Sequence, residues 1–284
     1  MSQNYKDYSF ADHKEVYLKL EETFRKFGVH YYLIGANARD VQLYKAGTKP
    51  NRGTADIDFA VMLPDMETYL EIRKELKEKG FEDTDGGTPY RMYYSESNTV
   101  IDLLPYGEIA QKYTVTFPER SIELSVLGMD EVGQSSEEFE HPEGFTLPVS
   151  SLHGMVILKL IAWSEKPEKR SKDLKDIKAL IDIAFENYEA ELFCENSEFA
   201  DLFDAEDFDI CLTGARVLGR KISPVLAQNA ELNKQLRAIV ENELSSEVGP
   251  MAQQMVTELF STVEELKKIL EAINTGLNEG IIKD

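Results

Sequence analysis

The sequence predicts an α+β chain, with a mixed α/β first half running to about residue 148 and an all-helical second half. Two observations carry this. Up to Leu147, short β-branched and aromatic runs alternate with segments of helical spacing. Beyond Ser151 nearly every segment has helical character, rich in Glu, Leu and Lys and poor in β-branched runs. The domains expected are therefore 1–148 and 149–284.

The elements follow in order. Val16, Tyr17, Leu20, Phe24 and Phe27 recur at helical spacing, and Gly28 stands where a helix C-terminal glycine belongs. Val29–Ile34 is a short buried strand. Gly35 breaks it before Ala36–Leu43 resumes helical character, which puts Gly35 at a strand-to-helix turn. Residues 47–53, with Pro50 and Asn51, form a loop that feeds an apolar strand ending at Val61. Met66–Lys79 is a helix with Leu70, Ile72 and Leu76 inward, ended by Gly80. Arg91–Tyr94 and Thr99–Leu104 make a hairpin about a turn at Ser95–Asn98, and Ile122–Leu127 adds a strand. The helices of the second half span about 151–164, 170–186, 207–221, 226–244 and 251–277, with turns at Pro224 and Pro250.

Composition narrows the function. Of 284 residues 42% are hydrophobic and 29% charged, as in a globular protein. The polar start has no apolar segment of the secretory kind, and no run reaches the ~18 apolar residues of a membrane span, so a cytoplasmic protein without membrane contact is expected. Cys194 and Cys211, with no CxxC pair, read as buried thiols, and four scattered histidines give no metal-binding spacing. The net charge of −21, from 31 basic against 52 acidic residues, argues against broad nucleic-acid or anionic-membrane binding. Residues 186–209 hold ten acids and no Lys or Arg, either a solvated face or a docking surface for a basic partner. Just before them, Lys166, Lys169, Arg170, Lys172, Lys175 and Lys178 form a local basic stretch.

The chemistry centres on Arg52-Gly-Thr-Ala-Asp56-Ile-Asp58-Phe-Ala-Val61. A strand sends residues i and i+2 to one face, so Asp56 and Asp58 project together with Cα atoms roughly 6.5 Å apart. Two like charges on a partly buried face require a cation in compensation, and Mg²⁺, which takes oxygen ligands, suits them. Asp102 lies in an apolar strand able to pair beside theirs. Three acids on one sheet face suit two metal ions of the kind that assist in-line phosphoryl displacement; a strand-end Asp bonded to nearby amides is the plain alternative for Asp102. Gly35 lets backbone N–H groups and a positive helix end approach a phosphate. Arg39, one turn on, can reach such a phosphate or pair with a surface acid, and Arg52 is open to the same two readings.

The order of these motifs, strand, Gly-Ala-Asn-Ala-Arg-Asp, helix, the Asp-x-Asp strand, helix, then Val-Ile-Asp102-Leu-Leu-Pro-Tyr-Gly, resembles the DNA polymerase β-like nucleotidyltransferase superfamily. More narrowly it is similar to the branch containing AbiEii/AbiGii-type toxins. The resemblance extends to Leu-Lys159-Leu-Ile-Ala-Trp163 and Arg170-Ser-Lys172-Asp173-Leu-Lys-Asp176, and covers roughly residues 15–185. It implies a nucleotidyltransferase-like mixed β-sheet flanked by helices, a triad of Asp56, Asp58 and Asp102 binding Mg²⁺ or Mn²⁺, and an NTP substrate. The nucleotide-binding set implied is Gly35, Ala36, Asn37, Arg39, Arg52, Thr54, Lys159, Lys172, Asp173 and Asp176, with the helical domain contributing to the nucleotide and acceptor cleft. Many members carry Gly-Ser or Gly-Gly where this chain has Gly35-Ala36, so a hydroxyl is missing, to be replaced by Asn37 or by backbone amides. For Lys159, Lys172, Asp173 and Asp176 a surface helix laced with i, i+3 and i, i+4 ion pairs is the plain alternative.

The acceptor stays open: an RNA end such as tRNA, a protein hydroxyl or a small molecule. The resemblance to the toxin branch implies an antitoxin-like partner. The competing function is a noncatalytic nucleotide-binding or protein-interaction module on the same fold.

Overall fold

A computed structural model describes residues 4–54, 56–84, 88–203, 208–256 and 262–280. Ala55 of the Asp-x-Asp stretch, the start of the helix expected at 207, the middle of the one expected over 251–277, and the acids at 204, 206 and 207 lie outside the described residues. The chain divides into two units, Met1–Ser151 and Leu152–Asp284.

The first unit runs α1 (Lys14–Phe27), β1 (Tyr31–Ile34), α2 (Gly35–Lys45), β2 (Asp56–Met62), α3 (Met66–Glu78), β3 (Phe81–Asp83), β4 (Arg91–Tyr94), β5 (Thr99–Tyr106), β6 (Thr114–Phe117), β7 (Ile122–Ser125), α4 (Met129–Gln134), β8 (Glu137–His141) and β9 (Phe145–Val149). Seven strands form one mixed sheet in the order β3-β4-β5-β2-β1-β9-β8, and β6 with β7 makes a separate hairpin. β2 lies near its centre, antiparallel to β1 and parallel to β5. Its alternation explains the placement: Ile57 and Phe59 are fully buried, and Phe59 meets the rings of Tyr17 and Phe24 from α1. Asp56 and Asp58 then face the other way, half-buried. α1 ends as its sequence requires, at Gly28 with φ +64°.

Several expectations change. Leu70 on α3 is 59% exposed rather than inward, and Tyr69 takes the buried position, its hydroxyl donating to the Leu103 carbonyl at 3.2 Å. The strands β3, β6, β8 and β9 were not anticipated. β8 is an edge strand in which Glu138 and Glu140 face out and Phe139 and His141 face in, so its three glutamates mask a regular alternation.

The second unit is helical throughout its described residues: α5 (Leu152–Glu165), α6 (Ser171–Asp182), α7 (Ala184–Asn187), α8 (Glu189–Leu192), α9 (Ile210–Ala227), α10 (Ala230–Ser245), α11 (Pro250–Met255) and α12 (Val263–Glu279), with short 3-10 turns between. α9 and α12 pack closely because Gly219 and Gly276 face each other's backbone: a Cβ on Gly219 would strike the Ile273 carbonyl, and one on Gly276 the Arg216 carbonyl. Pro224 does not make a turn but sits inside α9, while Pro250 opens α11, where its missing N–H costs nothing. Cys194 is exposed and Cys211 half-buried, not the buried thiols expected. Among the described residues no helix is long and apolar enough to cross a membrane.

Candidate active site

The parallel pairing of β2 with β5 puts Asp58 directly beside Asp102. In register neighbours share a sheet face, so Asp58 and Asp102 stand together, with Asp56 two residues back on the same face. The antiparallel pairing of β4 with β5 then sets Arg91 opposite Asp102, and Ile34 of β1 flanks Asp58 on the other side. Ile34, Asp58, Asp102 and Arg91 thus make one row across four strands.

Arg91 closes that row. Its Nε donates to Asp102 Oδ1 and its Nη2 to Asp102 Oδ2, each at 2.8 Å, and Nη2 lies 3.5 Å from Asp56 Oδ2. Hydrogen bonding to Asp102, together with the charges of Asp102, Asp56 and Asp58, raises the guanidinium's pKa against the effect of burial. The sequence reading passed over Arg91, although the signal was available: a four-residue turn at Ser95–Asn98 pairs Tyr94 with Thr99, and stepping back three residues brings Arg91 opposite Asp102.

Gly35 follows Ile34 at the end of the row. Its φ of +69° is a left-handed conformation, and a Cβ there would collide with the Asp58 carboxylate. The glycine therefore makes room for Asp58 at the start of α2. Gly35 and Ala36 are half-buried at that helix N-terminus, where backbone N–H groups and the helix dipole favour an anion.

Asn37 and Arg39 are buried and bonded within the first unit. The Asn37 amide is fully buried and donates to the Asp56 carbonyl at 2.6 Å, while its Oδ1 accepts from the Tyr17 hydroxyl at 3.4 Å. Arg39 is buried against Asp40, with Nε 2.9 Å and Nη2 2.6 Å from Oδ1, and Nη2 also donates to the Arg52 carbonyl at 2.9 Å. The other oxygen of Asp40 accepts from Ser9 N at 2.9 Å, and Ser9 Oγ accepts from Thr54 N at 3.0 Å. Thr54 Oγ1 in turn accepts from Asp56 N at 3.3 Å. These bonds clamp the Arg52–Thr54 approach to β2 and so set where Asp56 starts.

Beside Arg91 opens a cavity of about 200 Å³, lined among others by Tyr69, Arg73, Phe117 and Arg120. In the second unit Lys159 on α5 donates to Asp173 Oδ1 at 3.1 Å and Asp176 Oδ2 at 2.7 Å on α6, and Arg170 Nη1 lies 3.3 Å from Asp173 Oδ2. Lys159 and both aspartates are largely buried, whereas Lys172 is exposed.

The groups on this face able to ligate are the carboxylates of Asp56, Asp58 and Asp102, the oxygen set a hard divalent cation takes, two of them bonded to Arg91. In register and type they fit Mg²⁺ or Mn²⁺. Among the described residues no three acidic, His or Cys side chains are already gathered as ligands.

A family model described as nucleotidyl transferase AbiEii toxin, type IV toxin–antitoxin system, matches residues 24–272. The chain belongs to the AbiEii family. This AbiEii-family chain is also similar in structure to the antibiotic-resistance factor ANT(2'')-Ia, solved in solution, at 14% identity and a TM-score of 0.37, over 62% of this chain and 86% of that one. No curated protein matches it. The AbiEii match spans both structural units and every candidate residue named above.

Proposed function

We propose that the chain transfers a nucleoside monophosphate from an NTP to a hydroxyl acceptor in a Mg²⁺- or Mn²⁺-dependent reaction, as the toxin of a toxin–antitoxin pair. The observation that carries this reading is the in-register placement of Asp58 beside Asp102, with Asp56 on the same face and the Gly35 helix start adjoining. Asp56, Asp58 and Asp102 would hold the cation, Asp102 on the acceptor side. When bound, the cation neutralises triphosphate charge and lowers the pKa of the attacking hydroxyl. The backbone at Gly35-Ala36 receives the triphosphate, with Arg52 and Thr54, on the loop that leads into Asp56, as further nucleotide contacts. The acceptor oxygen forms a bond to the α-phosphorus, the bond to the pyrophosphate oxygen breaks, and the hydroxyl proton passes to Asp102. Lys159, Lys172, Asp173 and Asp176 belong to the same proposal through the family motif. The acceptor is an RNA end, a protein hydroxyl or a small molecule, and the partner is an antitoxin.

The protein incubated with each α-labelled NTP, Mg²⁺ and cell lysate is expected to label an acceptor, and Asp58→Ala to abolish the label. A protein that transfers no label to any acceptor, yet binds NTP equally well with Asp56→Ala and Asp58→Ala, is the noncatalytic module instead.

A further inference from the structure

Arg91 holds the oxygens that the proposed cation needs. Its fork engages both oxygens of Asp102 at 2.8 Å and reaches toward Asp56, so one guanidinium neutralises two of the three acids. A carboxylate that accepts a bidentate arginine has its best-directed lone pairs committed, and a divalent cation on the same oxygens would sit against a like charge. Two further observations make the arrangement reversible. The Arg91 side chain is 34% exposed whereas that of Asp102 is 10% exposed, so the arginine is the partner with freedom to leave. Its backbone is fixed independently, the Arg91 carbonyl accepting from Arg73 Nη2 at 3.1 Å, and the cavity lined by Tyr69, Phe117 and Arg120 adjoins it. Withdrawal therefore requires a change of side-chain rotamer, not of the sheet.

We infer that Arg91 is an internal counter-ion that competes with the divalent cation for Asp102 and Asp56, and that it sets the metal affinity of the site by having to withdraw before all three carboxylates can ligate. The inference rests on the metal-dependent reading proposed above. Arg91 is on this account a positioning residue whose removal creates a gain, which a merely structural strut would not. A strut lost would loosen Asp102 and weaken any ion bound there.

The test is a Mn²⁺ titration of the full chain by electron paramagnetic resonance, without nucleotide, on wild type, Arg91→Met, Arg91→Gln and Asp58→Asn. Arg91→Met and Arg91→Gln are expected to bind Mn²⁺ about tenfold more tightly or better, the equivalent of one charge-assisted contact no longer in competition, and Asp58→Asn to lose binding. On wild type alone, the Arg91 Nε–H resonance is expected to shift as Mg²⁺ is added, a readout that needs no variant to fold. Equal or weaker binding in a folded Arg91 variant, or an Nε–H signal unmoved at saturating Mg²⁺, overturns the inference and leaves metal-dependent transfer standing. Absence of Mn²⁺ binding and of Mg²⁺-dependent label transfer in every protein overturns both.

Discussion

Gly35 shows how one residue ties backbone conformation to chemistry. Its left-handed φ and its contact with Asp58 are two separate reasons for lacking a Cβ. Gly35→Ala is expected to cost roughly 1–3 kcal/mol from backbone strain and to displace the Asp58 carboxylate, which urea denaturation and the label-transfer assay would register together. Because part of that cost is the collision, adding Asp58→Ala should restore about 1 kcal/mol of stability while activity stays lost; purely additive effects would show that the two residues do not meet. The sequence made Gly35 legible as a turn but not its neighbour, since the contact depends on β1 pairing with β2. Arg39 and Asn37 were harder. An arginine next to its own counter-ion, Asp40, carries no mark of burial in the sequence, and only the packing of α2 against the Ser9 and Arg52 segments turns it into an internal clamp. Arg91 is the opposite case, fixed by turn length alone once the hairpin is drawn.

Among the elements, α11 depends on a carboxylate from its neighbour. Glu243 on α10 is 2% exposed and accepts from the backbone N–H groups of Met251 at 3.0 Å and Ala252 at 2.7 Å, which would otherwise lack partners at the start of the helix. A Cβ on Gly249 would fill the space of that carboxylate, which accounts for the glycine before Pro250. Glu243→Ala is expected to destabilise the protein by roughly 2–3 kcal/mol by leaving buried donors unsatisfied, and Glu243→Gln, which keeps one acceptor oxygen, by about half as much. Urea midpoints compare them; a Glu243→Ala protein as stable as wild type would mean the N–H groups find water. This cap was invisible in the sequence because donor and acceptor are eight and nine residues apart across a turn, outside the spacing of a capping box. The same limit hid β8 and β9. Glu137, Glu138 and Glu140 give the stretch a polar composition, and only pairing of β9 beside β1 gives the alternate Phe139 and His141 a core to enter. Long helices with clean period, such as α1 and α3, were legible; the failure at Leu70 came from a pattern in which Tyr69 served the buried stripe better.

For the whole chain, charge constrains the acceptor more than the fold does. Against the net −21 the basic stretch at 166–178 is the surface best suited to a polyanion, but two of its six basic residues are already paired, Arg170 with Asp173 and Lys178 with Asp182, and the neighbouring motif lysine Lys159 lies between Asp173 and Asp176. The acidic run after it is likewise answered in part from α9, Lys221 meeting Glu191 and Arg220 meeting Asp201. Charges compensated within the second unit offer little to a phosphate backbone. A protein that neutralises six to ten phosphates loses roughly 10³–10⁵ in affinity between 50 and 200 mM salt. This chain is expected to show no complex with random-sequence RNA at micromolar concentration in a mobility-shift assay at 50 mM salt. If an RNA end proves to be the acceptor, kcat/KM for transfer should change by less than about threefold over that salt range, because screening relieves repulsion from the chain's excess acid as much as it weakens the few favourable contacts. A steep fall with salt would show instead that an extended basic surface engages the RNA, and would move the acceptor site to residues that the ion pairs above leave available.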